Sequence, residues 1–269
     1  MSNLSRRVWL YGGAAVGALT VKAGVLSEPG AQAIEPDGIK KTSSGGGYDY
    51  RRPDLDSGSR LVFQGDSITD MKWGRNEKDR NHYLGHSYVY LIAARLGVDA
   101  PKTKLDFYNR GMSGHKVGDL RERWTRDAIE LEPDLLSVLV GVNDVGRNLN
   151  GVDVARWEED YRYILRESRT ANPQLRMVLL DPFVLPSGRL ADQTAYQAWR
   201  TQVDRLIPIV NRLAAEFDAV HVQTQVMFDT AAKQVSPEHW IWDGVHPLPQ
   251  GHELIAREWI KQVSERWPV

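Results

Sequence analysis

The stretch LVFQGDSITD, residues 61–70, decides the fold. Its first four residues suit a buried strand, and they run directly into Gly65, Asp66 and Ser67. A parallel strand that is covered on both faces reads as an apolar run, and ligands of open α/β sheets bind beyond the carboxyl ends of such strands. Ser67 is therefore placed where such a sheet presents a reactive hydroxyl. The alternative is an ordinary turn and helix cap, which these three residue types also favour.

Outward from this stretch, short apolar segments alternate with longer segments whose apolar residues recur three and four positions apart. The short segments predict five strands: Leu61 to Gln64, Lys104 to Tyr108, Leu135 to Val140, Arg176 to Leu180 and Ala219 to Val222. The longer segments predict five helices: His86 to Leu96, Val117 to Leu131, Val154 to Thr170, Ala195 to Phe217 with a kink or break at Pro208, and Gln250 to Val263. Such alternation implies right-handed crossovers, so we predict a three-layer α/β/α sandwich around a mainly parallel five-stranded sheet.

Composition narrows the class of protein. The chain has 269 residues, of which 42% are hydrophobic and 26% charged, with a formal net charge of -1. These values suit one soluble globular domain and give no basic excess for nucleic acid. The sequence contains no cysteine, which excludes disulfides, thiolate metal sites and a cysteine nucleophile.

The first 33 residues have the pattern of a signal peptide. Arg6 and Arg7 precede the uncharged run from Val8 to Val21, which is too short to span a bilayer comfortably. The residues SRRVWL resemble a twin-arginine export signal, and an A-x-A cleavage pattern ends at Ala33. We therefore expect cleavage after Ala33, export to the periplasm or the exterior, and no stable membrane span in the mature chain. An uncleaved membrane anchor is the alternative.

Residues 34–59 are rich in glycine, serine and charge and poor in apolar residues. This composition predicts a linker or an irregular arm. The catalytic domain is then expected over residues 60–269, and no repeat of fixed period divides it.

Loops with polar residues follow the first three predicted strands. The second loop reads NRGMSG over residues 109–114, the third reads GVND over residues 141–144, and WDGVHPLPQGH stands near the C-terminus over residues 242–252. In the predicted topology, the loops that follow the strands lie at one edge of the sheet. Residues that are distant in sequence are therefore expected to converge there.

The residues in these loops fit acyl transfer through a serine. Ser67 supplies a hydroxyl, His246 a base, and Asp243 a carboxylate that can orient the imidazole. Backbone N–H groups of Ser67 and Gly111 and the side-chain amide of Asn143 are the predicted oxyanion donors.

Four sequence blocks carry a family resemblance: Gly65-Asp66-Ser67, Asn109-x-Gly111-x-x-Gly114, Gly141-x-Asn143-Asp144 and Asp243-x-x-His246. They resemble, in order, the four blocks of the SGNH or GDSL-type hydrolases, and the resemblance extends from about Leu61 to Val263. It implies a flavodoxin-like sandwich and a serine esterase that acts on a small-molecule or polysaccharide ester and needs neither a metal nor a cofactor.

Other functions remain open. A metallophosphoesterase would need several Asp and His ligands, and no Asp-x-His follows the first strand. A non-catalytic carbohydrate-binding protein of the same fold is a further alternative. A lysophospholipase, a thioesterase or an acyltransferase would use the same three residues.

Aromatic residues near the predicted catalytic loops suggest the substrate. Trp73, Tyr83, Trp240 and Trp242 could stack on sugar rings, although packing would explain them equally well. Together with export, they favour an esterase that removes short acyl groups, above all O-acetyl, from carbohydrate, by analogy with the family.

The remaining polar candidates are assigned structural roles. Asp66 is expected to cap a turn or helix, and Asp144 to brace its loop. His82 and His86 have the spacing of two ligands on a helix, but Gly85 interrupts the segment and no third ligand is evident. The default is a surface position for His115, although it follows the second block, and a structural role for His252 on the last helix.

Overall fold

A computed structural model describes residues 52–146 and 151–269. The predicted signal peptide and most of the predicted arm lie outside the described residues. At the described end of the arm, the Asp54 N–H donates to the Trp267 carbonyl at 2.8 Å, and the Val269 N–H donates to the Arg52 carbonyl at 3.1 Å. Leu55 joins the hydrophobic core. These contacts hold the end of the arm against the C-terminus.

The described residues contain a five-stranded parallel sheet, which confirms the predicted fold class. The strands are β1 (Arg60–Gly65), β2 (Asp106–Gly111), β3 (Leu135–Leu139), β4 (Arg176–Leu180) and β5 (Val220–Val222), in the spatial order β2-β1-β3-β4-β5. β1 and β3 are central and lie side by side, with Gly65 opposite Leu139 at their carboxyl ends. Loops that follow these two strands are therefore neighbours.

Helices cover both faces of the sheet. They are α1 (Ser67–Asp70), α2 (Tyr88–Asp99), α3 (Val117–Asp127), α4 (Val142–Gly146), α5 (Val154–Ala171), α6 (Gln193–Glu216), α7 (Thr224–Ala232), α8 (Pro237–Trp240) and α9 (Pro249–Arg266). α2 packs against α9, whereas α3 packs against α5, and α5 against α6. Right-handed crossovers place these two groups on opposite faces. No helix among the described residues combines the length and the apolar character that a membrane span requires.

The core is built on the two central strands. Phe63 of β1 packs against Trp259 of α9, with ring centroids 5.5 Å apart, and against Tyr88 of α2 at 6.2 Å. The indole N–H of Trp259 donates to the Ser137 hydroxyl at 3.0 Å, so both polar groups are satisfied inside the core. This packing fixes β1, and with it the position of Ser67.

Several predicted boundaries differ from the observed ones. β2 begins and ends later than predicted because it is an edge strand with alternating burial, so no continuous apolar run marks it. α6 continues through Pro208 without a break, since its buried face, which includes Leu206, Ile209 and Val210, packs on the sheet. The second predicted helix, Val117 to Leu131, ends at Asp127 and is followed by a 3₁₀ turn over Ile129–Leu131. The prediction missed α1, α4, α7 and α8, all shorter than ten residues.

Candidate active site

Ser67 lies where β1 ends and α1 begins. Asp66 caps this helix, as predicted, because its Oδ1 accepts a hydrogen bond from the Ile68 N–H at 2.9 Å. Gly65 is required before the turn, since a Cβ there would collide with the Leu139 carbonyl oxygen on β3. The backbone can therefore turn sharply at the carboxyl edge of the sheet, where the Ser67 side chain is half-buried.

The loop between α8 and α9 carries Asp243 and His246. Asp243 organises this loop: its Oδ1 accepts the backbone N–H groups of Val245 at 3.0 Å and His246 at 2.8 Å. Its Oδ2 lies 2.8 Å from His246 Nδ1. Gly244 supplies the turn with a φ of +92°, and a Cβ there would collide with Leu190. One carboxylate thus fixes both the backbone and the imidazole ring of His246.

The other ring nitrogen of His246 meets the serine. Ser67 Oγ lies 2.8 Å from His246 Nε2, although the two residues are 179 positions apart in sequence. When Nδ1 is protonated and donates a hydrogen bond to Asp243, Nε2 has a free lone pair that can accept the serine proton. The structure therefore brings together the three residues that sequence reasoning selected, in the order Ser67, His246 and Asp243.

Hydrogen bonds keep the Asp243 carboxylate ionised. Burial acts to raise its pKa, but the hydrogen bonds from the His246 side chain and from the backbone N–H groups of His246 and Val245 outweigh burial. They hold the pKa of Asp243 at about 2. At neutral pH, this carboxylate can stabilise a positive charge on the imidazole.

The two predicted oxyanion donors outside Ser67 behave differently. Asn143 lies at the start of α4, directly after β3, and its Nδ2 donates to the His115 carbonyl at 3.1 Å. That bond fixes the amide and uses one of its two N–H groups. The Gly111 N–H instead donates to Asn109 Oδ1 at 2.9 Å, and a Cβ on Gly111 would collide with the backbone of Asp70. Gly111 therefore has a packing role at the end of β2, and its N–H is already engaged.

Two further carboxyl groups flank the site from inside. Asp66, next to Ser67, is 1% exposed, and Asp144, next to Asn143, is 7% exposed. Burial raises the pKa of Asp66 to about 7, since the Ile68 N–H offsets only part of it, and burial likewise raises the pKa of Asp144 to about 7. Asp144 Oδ2 accepts the Val117 N–H at 3.4 Å, which fits the predicted bracing role.

Two of the four predicted sugar-stacking aromatics lie on the α1–α2 loop. Trp73 is 8% exposed and its indole N–H donates to the Gly111 carbonyl at 2.9 Å. The Arg75 guanidinium also lies 4.6 Å from the centre of its ring. For Trp73, the structure therefore supports packing, which was one of the two explanations that the sequence left open. Tyr83 is half-buried, and Arg80 lies 4.1 Å from the centre of its ring.

The two aromatics before the histidine loop are more accessible. Trp242 is 61% exposed and directly precedes Asp243. Trp240 is half-buried, and its indole N–H donates to the Val235 carbonyl at 3.2 Å. Of the four predicted aromatics, Trp242 thus presents a large exposed ring, directly before Asp243 in the sequence.

Sequence reasoning missed the loop that follows β4. The Leu185 N–H donates to the Gly244 carbonyl at 3.1 Å, and the Gly244 N–H donates to Ser187 Oγ at 3.1 Å. Arg189 on the same loop reaches within 3.8 Å of Asp243 Oδ2. The cluster Pro186, Ser187 and Gly188 after a predicted strand was the available signal of a loop at this edge. This loop braces the turn that carries His246.

Four further histidines lie outside the chain of contacts from Ser67 to Asp243. His82 Nδ1 lies 2.8 Å from Asp79 on the surface, and His86 is exposed. His115 is half-buried and its Nδ1 accepts from Arg123 at 3.2 Å. His252 is buried, and its Nδ1 accepts the Tyr88 N–H at 3.2 Å. Burial lowers the pKa of His252 to about 3, so it is neutral. Across residues 52–146 and 151–269, no three His, Asp or Glu side chains form a metal-binding group.

A family model matches most of this domain. Residues 63–254 match the GDSL-like lipase/acylhydrolase family, and the chain belongs to that family. Membership defines the class of protein as a carboxylic ester hydrolase on a parallel α/β sheet.

Individual relatives narrow this class. The chain is 31% identical over 220 residues to an acetylxylan esterase of Geobacillus stearothermophilus, which covers 79% of this chain and 97% of the relative. A catalytic mutant of that esterase, in which an aspartate is replaced by alanine, has a solved structure that superposes with a TM-score of 0.69 at 30% identity, covering 78% of this chain and 95% of the other. In two such mutants, the replaced aspartate and histidine stand three residues apart, as Asp243 and His246 do.

Two further relatives carry less specific names. A structure described as a GDSL-like lipase from Parabacteroides merdae has a TM-score of 0.74 at 33% identity and covers 79% of this chain and 99% of its own. A Bacillus subtilis protein named an uncharacterized lipoprotein is 27% identical over 143 residues, which is 51% of this chain and 56% of that protein.

Proposed function

We propose that this hydrolase is an exported serine esterase that removes short acyl groups, above all acetyl, from carbohydrate. The observation that carries the chemistry is the continuous chain of contacts from Ser67 Oγ to His246 Nε2 at 2.8 Å and from His246 Nδ1 to Asp243 at 2.8 Å. The similarity to an acetylxylan esterase supports the choice of acyl group and substrate. The N-terminal sequence pattern and the lipoprotein relative support export.

In the first half of the proposed reaction, Ser67 is the nucleophile. His246 Nε2 takes the hydroxyl proton while Ser67 Oγ attacks the acyl carbon, and Asp243 stabilises the imidazolium. The same imidazolium then gives its proton to the leaving sugar oxygen, which leaves an acetyl group on Ser67. In the second half, His246 activates a water that attacks this acetyl group, and the proton returns to Ser67 as acetate departs.

The proposed oxyanion site combines backbone and side-chain donors. The Ser67 N–H and the free N–H of the Asn143 amide are two of them. Gly111 packs against the backbone of Asp70 in α1, so we assign the backbone donor of the second loop to Gly114, which lies next to the residue that Asn143 contacts. Gly114 is half-buried, has a φ of +83° and precedes His115, whose carbonyl accepts the Asn143 amide. Its position supports this assignment.

The test is hydrolysis of p-nitrophenyl acetate and of acetylated xylan by the purified protein and its Ser67→Ala variant. We expect the variant to lose at least about a thousandfold in kcat on both substrates while keeping the same far-UV spectrum and Tm. Equal activity of the two proteins would refute a role for Ser67. Faster hydrolysis of a long-chain p-nitrophenyl ester than of the acetate would refute the short-acyl preference and favour a lysophospholipase or thioesterase.

A further inference from the structure

A pocket opens at the β5 edge of the sheet, between α7 and α9. Its volume is about 520 Å³. The side chains that give it its chemistry are His221, Gln223, Gln234, Trp240, Glu258 and Gln262. We call it the α7–α9 pocket. None of these residues takes part in the proposed acyl transfer.

A buried carboxylate orients the histidine of this pocket. His221 Nε2 lies 2.6 Å from Asp181 Oδ1, and Asp181 is fully buried at the end of β4. Burial raises the pKa of Asp181, against the opposing effect of His221. The His221 side chain retains 13% exposure, on the pocket wall. The hydrogen bond to Asp181 thus holds the imidazole in one orientation on the pocket wall.

The rest of the lining suits a neutral ring with many hydroxyl groups. Trp240 is fixed by its hydrogen bond to Val235 and offers an aromatic surface to the pocket. Gln223 and Gln234 are exposed, and an amide offers both donors and acceptors. Glu258 accepts the Gln262 amide at 2.7 Å and places a negative charge at the wall. That charge disfavours an anion, whereas amides beside an aromatic ring suit sugar hydroxyls and their apolar ring faces.

The pocket is connected to the active site through its own wall. Ile241 is extended and fully buried, and it stands between Trp240, which lines the pocket, and Trp242, which is exposed. Trp242 directly precedes Asp243. β5 lies three strands from β1, or about 14 Å at the usual strand spacing. A chain of several sugar units is long enough to contact both places.

We propose that the α7–α9 pocket is an accessory binding site for a neutral oligosaccharide segment of the polymeric substrate, distant from the ester that reacts. This inference rests on the proposed carbohydrate substrate. It predicts that the pocket contributes to KM on a polymer and contributes little on a substrate too small to reach it.

The test compares kcat/KM on acetylated xylan with kcat/KM on p-nitrophenyl acetate for each variant. We expect Trp240→Ala to lose at least about tenfold more on the polymer than on the small ester, through KM, as expected when only binding is removed. The Gln223→Ala, Gln234→Ala double variant changes exposed side chains and provides a second reading if Trp240→Ala folds poorly. Trp267→Ala, whose ring lies near Arg176 at the start of β4 and does not line the pocket, is the matched control and is expected to keep the wild-type ratio.

Affinity electrophoresis in gels that contain deacetylated xylan separates this inference from the proposed function. Retardation of the wild type that both pocket variants lose supports the pocket, whatever the esterase activity. Equal retardation of wild type and variants, or an equal loss on both substrates, would overturn it. A shift in gel-filtration volume of Trp240→Ala would also overturn it, because the pocket would then be a contact between copies of the chain. Wild-type activity on p-nitrophenyl acetate without activity on acetylated xylan would refute the proposed substrate instead.

Discussion

Among the described residues, two aspartate–histidine pairs in the interior have almost the same nitrogen–oxygen distance, whereas a third, Asp79 and His82, lies at the surface. His246 lies 2.8 Å from Asp243, and His221 lies 2.6 Å from Asp181. In the first pair, hydrogen bonds outweigh burial and the pKa of the carboxyl falls to about 2. In the second pair, burial dominates and the pKa of the carboxyl rises. An aspartate beside a histidine therefore does not by itself define an acid–base site.

The surroundings of the two pairs account for the difference. Asp243 receives two backbone N–H groups from its own turn, whereas Asp181 Oδ2 has no hydrogen-bond partner among the described residues. The free nitrogen of the first imidazole meets Ser67 at the end of a central strand, and the second imidazole faces the α7–α9 pocket. Position in the sheet thus gives one histidine a neighbouring serine and places the other on the wall of a pocket.

Removing each imidazole is the strongest way to break this comparison. We expect His246→Ala to lose at least about a thousandfold in kcat on p-nitrophenyl acetate, because the serine then lacks a base. His221→Ala is expected to lose less than about tenfold. Steady-state kinetics of the two folded variants, with Tm as a control, measure both effects. Similar losses would mean that both pairs take part in the reaction.

Removal of the proposed oxyanion donor Asn143 should have the next largest effect on kcat. Asn143→Ala removes the amide donor, and loss of one oxyanion-hole donor costs about 3 kcal/mol, or on the order of a hundredfold in kcat. KM should change little because the contact strengthens in the transition state. Pre-steady-state and steady-state assays with p-nitrophenyl acetate measure the loss. A pure KM effect would assign Asn143 to substrate binding instead.

The sequence was sufficient to predict the sheet and its layers, and it selected Ser67, Asp243 and His246, whose side chains the structure places in contact. Hydrophobic periodicity gave the strands, and the carboxyl ends of parallel strands meet at one edge whatever the loops do. The choice among glycines in the second loop could not be made in this way. Which N–H group Asn109 engages depends on a side-chain rotamer, and only the coordinates show that it is the one of Gly111.

Long-range packing explains what else the sequence did not predict. The sequence left open whether Trp73 stacks on sugar or packs, and in the structure its ring lies against Arg75 and its N–H donates to the Gly111 carbonyl at the end of β2. Ser187 and Arg189 reach Gly244 and Asp243 across more than fifty residues of sequence. No local pattern predicts such contacts.

Asp144 tests the comparison further. It lies next to Asn143 at the candidate active site, yet burial raises its pKa, as it does for Asp181. Its pKa is about 7 in the folded chain against 3.8 when unperturbed. The native state therefore holds a proton between about pH 4 and pH 7 that the unfolded state has lost, and stability falls as pH rises through this window.

Asp144→Asn removes that titration. We expect the free energy of unfolding of the variant minus that of the wild type to increase by about 2 to 3 kcal/mol between pH 5 and pH 8, because only the wild type loses stability over this range. Urea unfolding at both pH values measures it, and Asp204→Asn on the exposed side of α6 is a matched control. A constant difference between variant and wild type would show that Asp144 is ionised throughout.

We expect the smallest effect on activity from Arg189, a cation near Asp243. Arg189 approaches Asp243 Oδ2 at 3.8 Å, but its side chain is 53% exposed, so water and salt screen the interaction. The bonds from His246 and Val245 already account for the low pKa of Asp243. Arg189→Gln should therefore lower kcat/KM on p-nitrophenyl acetate by less than about threefold, with a pH profile of unchanged shape between pH 5 and pH 9. If Arg189→Gln loses tenfold in kcat/KM and Arg189→Lys keeps the wild-type value, a cation at this position helps to hold the Asp243 carboxylate that orients His246. The Asp181 pair has no such cation among the described residues.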